Sequence, residues 1–161
     1  MITTKGNVVN KFMKLGNVKT ISDSILTPHY ADLKLILNVA NMAGKVDDPI
    51  YAIFNKKWPR IKVEVRGWWA MKTGAYKTGA IHTVCVQSDT WCISMLARDK
   101  DMNVDLVGLE KCLKEVCKIA IYERASVHIS TILTEEIPEL TDLVNQEIVS
   151  KGVSVAYYEE P

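Results

Sequence analysis

Leu33-Lys34-Leu35-Ile36-Leu37-Asn38-Val39-Ala40 is a dense apolar run of strand length, and a turn-like stretch, Asn41-Met42-Ala43-Gly44-Lys45, follows it. A short run of this kind suits a strand buried on both faces, the condition of a central strand in a parallel sheet. Beyond the turn, Ile50, Ile53, Phe54 and Lys57 follow helical spacing. Asp47 or Asp48 can cap that helix, Pro49 suits its first turn because no N–H bond is lost there, and Pro59 ends it.

The rest of the chain extends the same alternation. Ala80 to Val86 and Thr90 to Ala97 read as two strands joined at Gln87-Ser88-Asp89, a hairpin-type connection. Asn103 to Tyr122 predicts a helix, with Leu106, Leu109, Leu113, Val116, Cys117 and Ala120 on one stripe. Ala125 to Ser130 reads as a short strand. Glu139 to Lys151 reads as a helix stopped by Gly152, and Val153 to Tyr158 as a last, β-rich strand. Arg60 to Gly67 stays open between helix and strand. In the first thirty residues, Ile2 to Thr4 and Asn7 to Phe12 read as short strands separated by Lys5-Gly6. Strands alternating with helices predict a layered α/β domain with a mostly parallel sheet, whose ligands sit beyond the carboxyl ends of the strands. The turns after Ala40 and after Ser130 are therefore the places to look.

Composition bounds the alternatives. The chain has 161 residues, enough for one domain with a proper core, and no linker or repeat divides it. Lys plus Arg is 20 against 19 for Asp plus Glu, which offers no electrostatic case for wrapping a nucleic-acid duplex. At 48% hydrophobic and 24% charged, the composition is that of a globular chain and not a disordered one. No apolar run reaches the ~18–20 residues of a membrane span, and Met1 to Asn7 holds no apolar signal core. Cys85, Cys92, Cys112 and Cys117 form no C-x-x-C pair and have no histidine at finger-like spacing. They read as reduced, mostly buried thiols of a cytoplasmic protein, and no metal site is expected.

Asn38-Val39-Ala40-Asn41 resembles the N-A-A-N segment of macro domains, the ADP-ribose-binding α/β/α modules. In that family a glycine-rich loop and V-D-G-A-I at a helix start come next. Here Val46-Asp47-Asp48-Pro49-Ile50 follows a shorter loop whose one glycine is Gly44. Ile129-Ser130-Thr131-Ile132-Leu133-Thr134, leading to Pro138, is similar to the family's I-S-T-G stretch before the last helix. Lys5-Gly6-Asn7 is similar to its opening strand-G-D turn, and Trp91 to Lys100 with Leu106 to Leu113 resembles the segment before its central helix. The resemblance implies a single three-layer α/β/α domain over residues 1–161, with a mixed, mostly parallel central sheet. It implies a pocket for ADP-ribose or a related nucleotide formed by Asn7, Asn38, Asn41, Gly44, Asp47, Ser130, Thr131 and Ile132, without a cofactor. For hydrolase members it implies removal of ADP-ribose from a modified protein or nucleic acid, with Asp47 activating water and Asn41 positioning the distal ribose.

The departures have physical content. Asn7 stands where the family has an aspartate that hydrogen-bonds the adenine amino group; it accepts through its carbonyl but brings no charge. One glycine leaves few backbone N–H groups free to approach a diphosphate, and Ile132 stands where the family has another glycine.

Each residue also has a plainer role. Asn38 and Asn41 can stabilise an Asx-type turn, Asp47 and Asp48 can cap a helix, and Ser130 and Thr131 can cap a strand end. Arg98 can bind a phosphate bidentately or sit in a solvated turn. His128, inside a strand, reads as a hydrogen-bonded core histidine.

A reading from another class makes the domain a protein-interaction module without nucleotide, a homodimer through an apolar surface around Trp68, Trp69 and Tyr76. Compact size and altered motifs would suit a viral accessory protein in the host cytoplasm. Lys72-Thr73-Gly74-Ala75-Tyr76-Lys77 is a short basic-aromatic patch for a nucleic-acid binder, whose mark would be a steep salt dependence.

Overall fold

A computed structural model describes residues 14–71, 74 and 76–161. Strand β1 (Val18–Ile21) is followed by β2 (Lys34–Asn41), helices α1 (Pro49–Phe54) and α2 (Arg60–Met71), and the hairpin β3 (Ile81–Gln87) and β4 (Thr90–Arg98). Helix α3 (Leu106–Glu123), β5 (Ser126–Ser130), α4 (Thr131–Glu136), α5 (Leu140–Glu147), a 3-10 turn (Val149–Lys151) and β6 (Val155–Tyr158) complete the chain. The strands form one sheet in the order β1-β6-β5-β2-β4-β3. All neighbours are parallel except β3, which pairs antiparallel with β4 at the edge. Helices α1 and α2 pack together, with α2 on β3, and α3 packs on β4 and on α5, giving the three layers of an α/β/α domain.

Every residue of β2 is buried, as its apolar run predicts. The α3 stripe is buried too, from Leu109 through Cys112, Leu113, Val116 and Cys117 to Ala120. The helix starts later than its apolar period suggests, because Asp105 caps it, accepting from Gly108 N at 3.0 Å and from the Thr78 hydroxyl at 2.6 Å.

Arg60–Met71, open in sequence, is a helix. The expected last helix breaks into α5 and the 3-10 turn before Gly152, whose φ is +92°. Three of the cysteines are buried, while Cys85 on the outer strand is exposed. The short strands expected at Ile2–Thr4 and Asn7–Phe12 lie outside the described residues. Among the described residues no helix is long and apolar enough to cross a membrane.

His128 on β5 is fully buried and hydrogen-bonded, with Nδ1 2.8 Å from the Tyr158 hydroxyl and Nε2 2.7 Å from Ser126 Oγ. The His29 N–H already donates to the Tyr158 oxygen at 3.1 Å. The buried Tyr158 hydrogen therefore goes to Nδ1, which puts the ring proton on Nε2, donating to Ser126. In that tautomer His128 cannot act as a base toward Ser126, so the pair is structural and not a nucleophile dyad.

Burial first, then the nearby Lys34 and His29, push the His128 pKa down to about 3. The unfolded ring titrates near 6.5, so below that pH the unfolded chain binds the extra proton and stability falls as pH drops toward 3. Between pH 7 and pH 5 this one group should cost about 2 kcal/mol. Urea unfolding at the two pH values should show that loss, and His128→Gln should flatten it; an unchanged slope in the variant would contradict the assignment.

Candidate functional site at the carboxyl ends of the strands

The chain leaves β2 toward β4 and leaves β5 toward β6, so the connections part between two neighbouring strands. In sheets of this kind ligands bind at such a switch point, beyond the strands' carboxyl ends. Asn41 ends one strand and Ser130 the other. The β2–β4 register shifts between Ala40 and Asn41, so Asn41 faces Arg98 across a bulge.

Asn38 and Asn41 have different surroundings. Asn38 is fully buried, and its Nδ2 donates to Tyr51 Oη and Ser94 Oγ, both at 3.1 Å. It ties α1 and β4 to β2 from inside the sheet, while its buried Oδ1 has no partner among the described residues. Asn41 closes the following loop: Oδ1 accepts from Lys45 N at 3.0 Å, and Nδ2 donates to Lys45 O at 2.9 Å. The Tyr76 hydroxyl donates to its backbone carbonyl at 2.8 Å. One lone pair and one N–H of the Asn41 amide remain.

Gly44 has φ +71°, and a Cβ built on it would lie 2.3–2.7 Å from ring atoms of Trp69. The indole Nε1 donates to Met42 O at 3.2 Å. Only glycine satisfies both the left-handed backbone and the ring's approach. Trp69 thus covers the face of the loop that an open diphosphate cradle would present. Trp68 packs edge-on against Tyr76 and stacks on His82, with centroids at 4.9 and 5.2 Å. Tyr76 itself is buried. Of the three rings in the expected apolar surface, Tyr76 is buried, while Trp68 and Trp69 are half-buried against a strand and a loop.

Asp47 is exposed, with no side-chain hydrogen bond among the described residues. Asp48 is half-buried at the N-cap of α1 but makes no side-chain cap bond. Burial raises its pKa, and Asp47 adds to that, while Arg98 and Lys45 oppose it. Glu136 at the end of α4 is likewise raised by burial and by Asp48, and lowered by Arg98. Arg98 stands between these acids and is not the solvated turn residue that its flanking charges suggest. Its Nη2 lies 3.5 Å from Glu136 Oε1, its Nη1 donates to Met102 O at 3.0 Å, and its buried Nε has no partner among the described residues.

On the other side of the switch point the chain passes from strand to helix without a loop. Ser130 is fully buried and caps α4, its Oγ accepting from Ile132 N at 3.2 Å. The Thr131 hydroxyl donates to Tyr158 O at 3.2 Å, and Ile132 is half-buried in the first turn. The turn expected after Ser130 is thus helix from Thr131 on, with Ser130 as its cap.

Asn7 lies outside the described residues. Among the described strands the opening strand–turn is Ile21-Ser22-Asp23-Ser24, at the end of β1 beside β6. Asp23 lies at that turn, a residue the sequence reasoning passed over; Val18-Lys19-Thr20-Ile21 holds three β-branched residues but no alternation, so the signal for the strand was weak. Its carboxylate accepts from Ser24 N at 2.8 Å and lies 3.0 Å from His29 Nε2, contacts that lower its pKa. Glu160 clamps the same turn, accepting from Ser24 Oγ and Ile25 N, both at 2.8 Å.

No family model matches the sequence, and no curated protein matches it. Solved structures do. A macrodomain protein from Streptomyces coelicolor superposes with a TM-score of 0.82 at 20% identity, covering 89% of this chain and 99% of its own. A protein from Bacteroides thetaiotaomicron gives 0.80 at 20% identity, with the same coverage of 89% and 99%. The macrodomain of Thermus aquaticus DarG gives 0.68 at 15% identity, again over 89% and 99%. At these identities the likeness is one of fold. The chain has the macrodomain fold, far diverged in sequence from the solved domains that share it.

Proposed function

We propose that the domain binds ADP-ribose or a closely related nucleotide across the carboxyl ends of β1, β6, β5 and β2. What supports this reading is the macrodomain fold, with Asn41 at the end of β2 and the capped start of α4 at the end of the neighbouring β5, the switch point where sheets of this kind bind ligands. Asp23 takes the place first given to Asn7, against the base's amino group. Asn41 offers its remaining N–H and lone pair to the distal ribose, and Asn38 holds the strand behind it. Thr131 and Ile132 line the diphosphate side, opposite the Gly44 loop.

If the bound group is still attached to a macromolecule, the acids beside Arg98 suit hydrolysis. Water attacks the anomeric carbon, the bond to the modified side chain or base breaks, a carboxylate takes the water's proton, and the leaving group gains one. A general base works best with a pKa raised toward the working pH. Burial supplies that for Asp48 and Glu136, so Asp48 is the better candidate, ahead of the exposed Asp47.

A second reading, a macrodomain closed to nucleotide, is favoured by one observation: the Trp69 indole over Gly44.

Calorimetric titration with ADP-ribose separates the two. Micromolar affinity, about −8 kcal/mol, is expected, with Asp23→Ala and Asn41→Ala each weakening it at least about tenfold while leaving the fold intact. No heat at millimolar ADP-ribose would leave the closed reading standing.

On ADP-ribosylated protein and DNA, Asp48→Asn should lower the rate of release about 100-fold or more with binding retained, and Asp47→Asn should lower it little. The reverse order of effects would return the role to Asp47.

A further inference from the structure

A cavity lies at the amino end of the sheet, where β5 and β6 begin and α3 ends. It has a volume of about 460 Å³, and its lining includes Tyr30, Asp32, Arg124, Ser126, Lys151 and Ser154. That volume falls within the range of small-ligand sites.

Three observations at its wall point the same way. Arg124 holds a left-handed backbone, φ 56° and ψ 45°, as the C-cap of α3. Glycine is the residue that helix ends favour in this conformation, so a side chain there is held against local preference. Strain of this sort gathers where a side chain is needed. Next, the Arg124 guanidinium and the Lys151 ammonium form no ion pair among the described residues, and both line this cavity with one carboxylate, Asp32, while Glu147 lies beside Lys151 on its far side. Finally, Ser126 is only 7% exposed. Its Oγ already accepts the His128 Nε2 proton, so its own hydrogen has no acceptor among the described residues and the cavity is where one would sit.

We propose that this cavity is a second binding site, for a small phosphate monoester carried on a hydroxylated body such as a sugar phosphate. Arg124 and Lys151 hold the phosphate, Arg124 through paired N–H groups and Lys151 as a point charge. Ser126 donates its free hydrogen to a phosphate oxygen. Asp32 accepts from ligand hydroxyls. The site is independent of the one at the carboxyl ends and does not rest on the function proposed for it.

The test is a residue-resolved NMR titration of the full chain with ribose 5-phosphate, with inorganic phosphate and ribose as separate arms. Saturable shifts confined to the amides around Arg124, Ser126 and Gly152 to Ser154 are expected at millimolar ligand or below. Arg124→Gly should weaken that binding roughly tenfold or more, while its melting temperature stays level or rises because the left-handed cap suits glycine. Lys151→Ala repeats the test without altering a strained backbone and should also weaken binding. Asp23→Ala, at the other end of the sheet, should leave these shifts unchanged.

No shifts in this region at millimolar ribose 5-phosphate would overturn the proposal, as would wild-type affinity in both Arg124→Gly and Lys151→Ala. Inorganic phosphate binding as tightly as ribose 5-phosphate would overturn the assignment to a sugar phosphate.

Discussion

The burial of β2 on both faces is the constraint from which most of the structure follows. A strand so placed cannot leave its polar side chains to water, so they bond from within, and on this strand Asn38 Oδ1 is the buried side-chain atom left without a partner among the described residues. Lys34 donates its Nζ to Tyr30 O, Asp32 O and Asp89 Oδ2, drawing in the segment before the strand and the β3–β4 hairpin. Asn38 ties down Tyr51 of α1 and Ser94 of β4. Asn41 shapes the loop that follows. Three polar residues on one apolar run thereby orient its neighbours, and removing a partner would strand a buried group at a cost of about 1–3 kcal/mol.

The same logic explains what the sequence made legible. An apolar run of eight residues followed by Asn and Gly can hardly be anything but a central strand entering a tight turn, and the β3–β4 hairpin and α3 carried equally direct patterns. The segments that escaped are those whose conformation depends on contacts made elsewhere. β1 has an exposed, short pattern, and its partner β6 lies at the other end of the chain. Helix α4 exists because Ser130 caps it as the strand ends, and six residues carry too little periodicity to announce that. Arg60–Met71 mixes charge and bulk, and its helical state rests on Ile61 and Val65 reaching the core.

In the candidate site the residue types were legible and their division of labour was not. Neighbouring aspartates look alike in sequence. Only packing distinguishes Asp47, left in solvent, from Asp48, drawn toward Arg98 and Glu136. A glycine beside a turn looks like room for a phosphate until Trp69, more than twenty positions away, is found lying on it. Asp23 comes into view only through the pairing of β1 with β6. Each of these facts comes from long-range contact, the information a linear pattern holds least well.

The pairing of β1 with β6 has a consequence for the order of assembly. Val18 aligns with Val155 and Ile21 with Tyr158, so no rung of this ladder can form until nearly the whole chain is in place. Closing so long a loop is entropically costly, and contacts of this kind form late in folding. Three of the four β1 residues are exposed, and among the described residues β6 is its one neighbour in the sheet. The strand therefore has the character of a separate opening unit, held by backbone hydrogen bonds and by the Glu160 clamp more than by buried area. The turn that carries Asp23 sits on the part of the molecule that docks last and frays first, so amide exchange there should report on the candidate site while the β2 core stays closed.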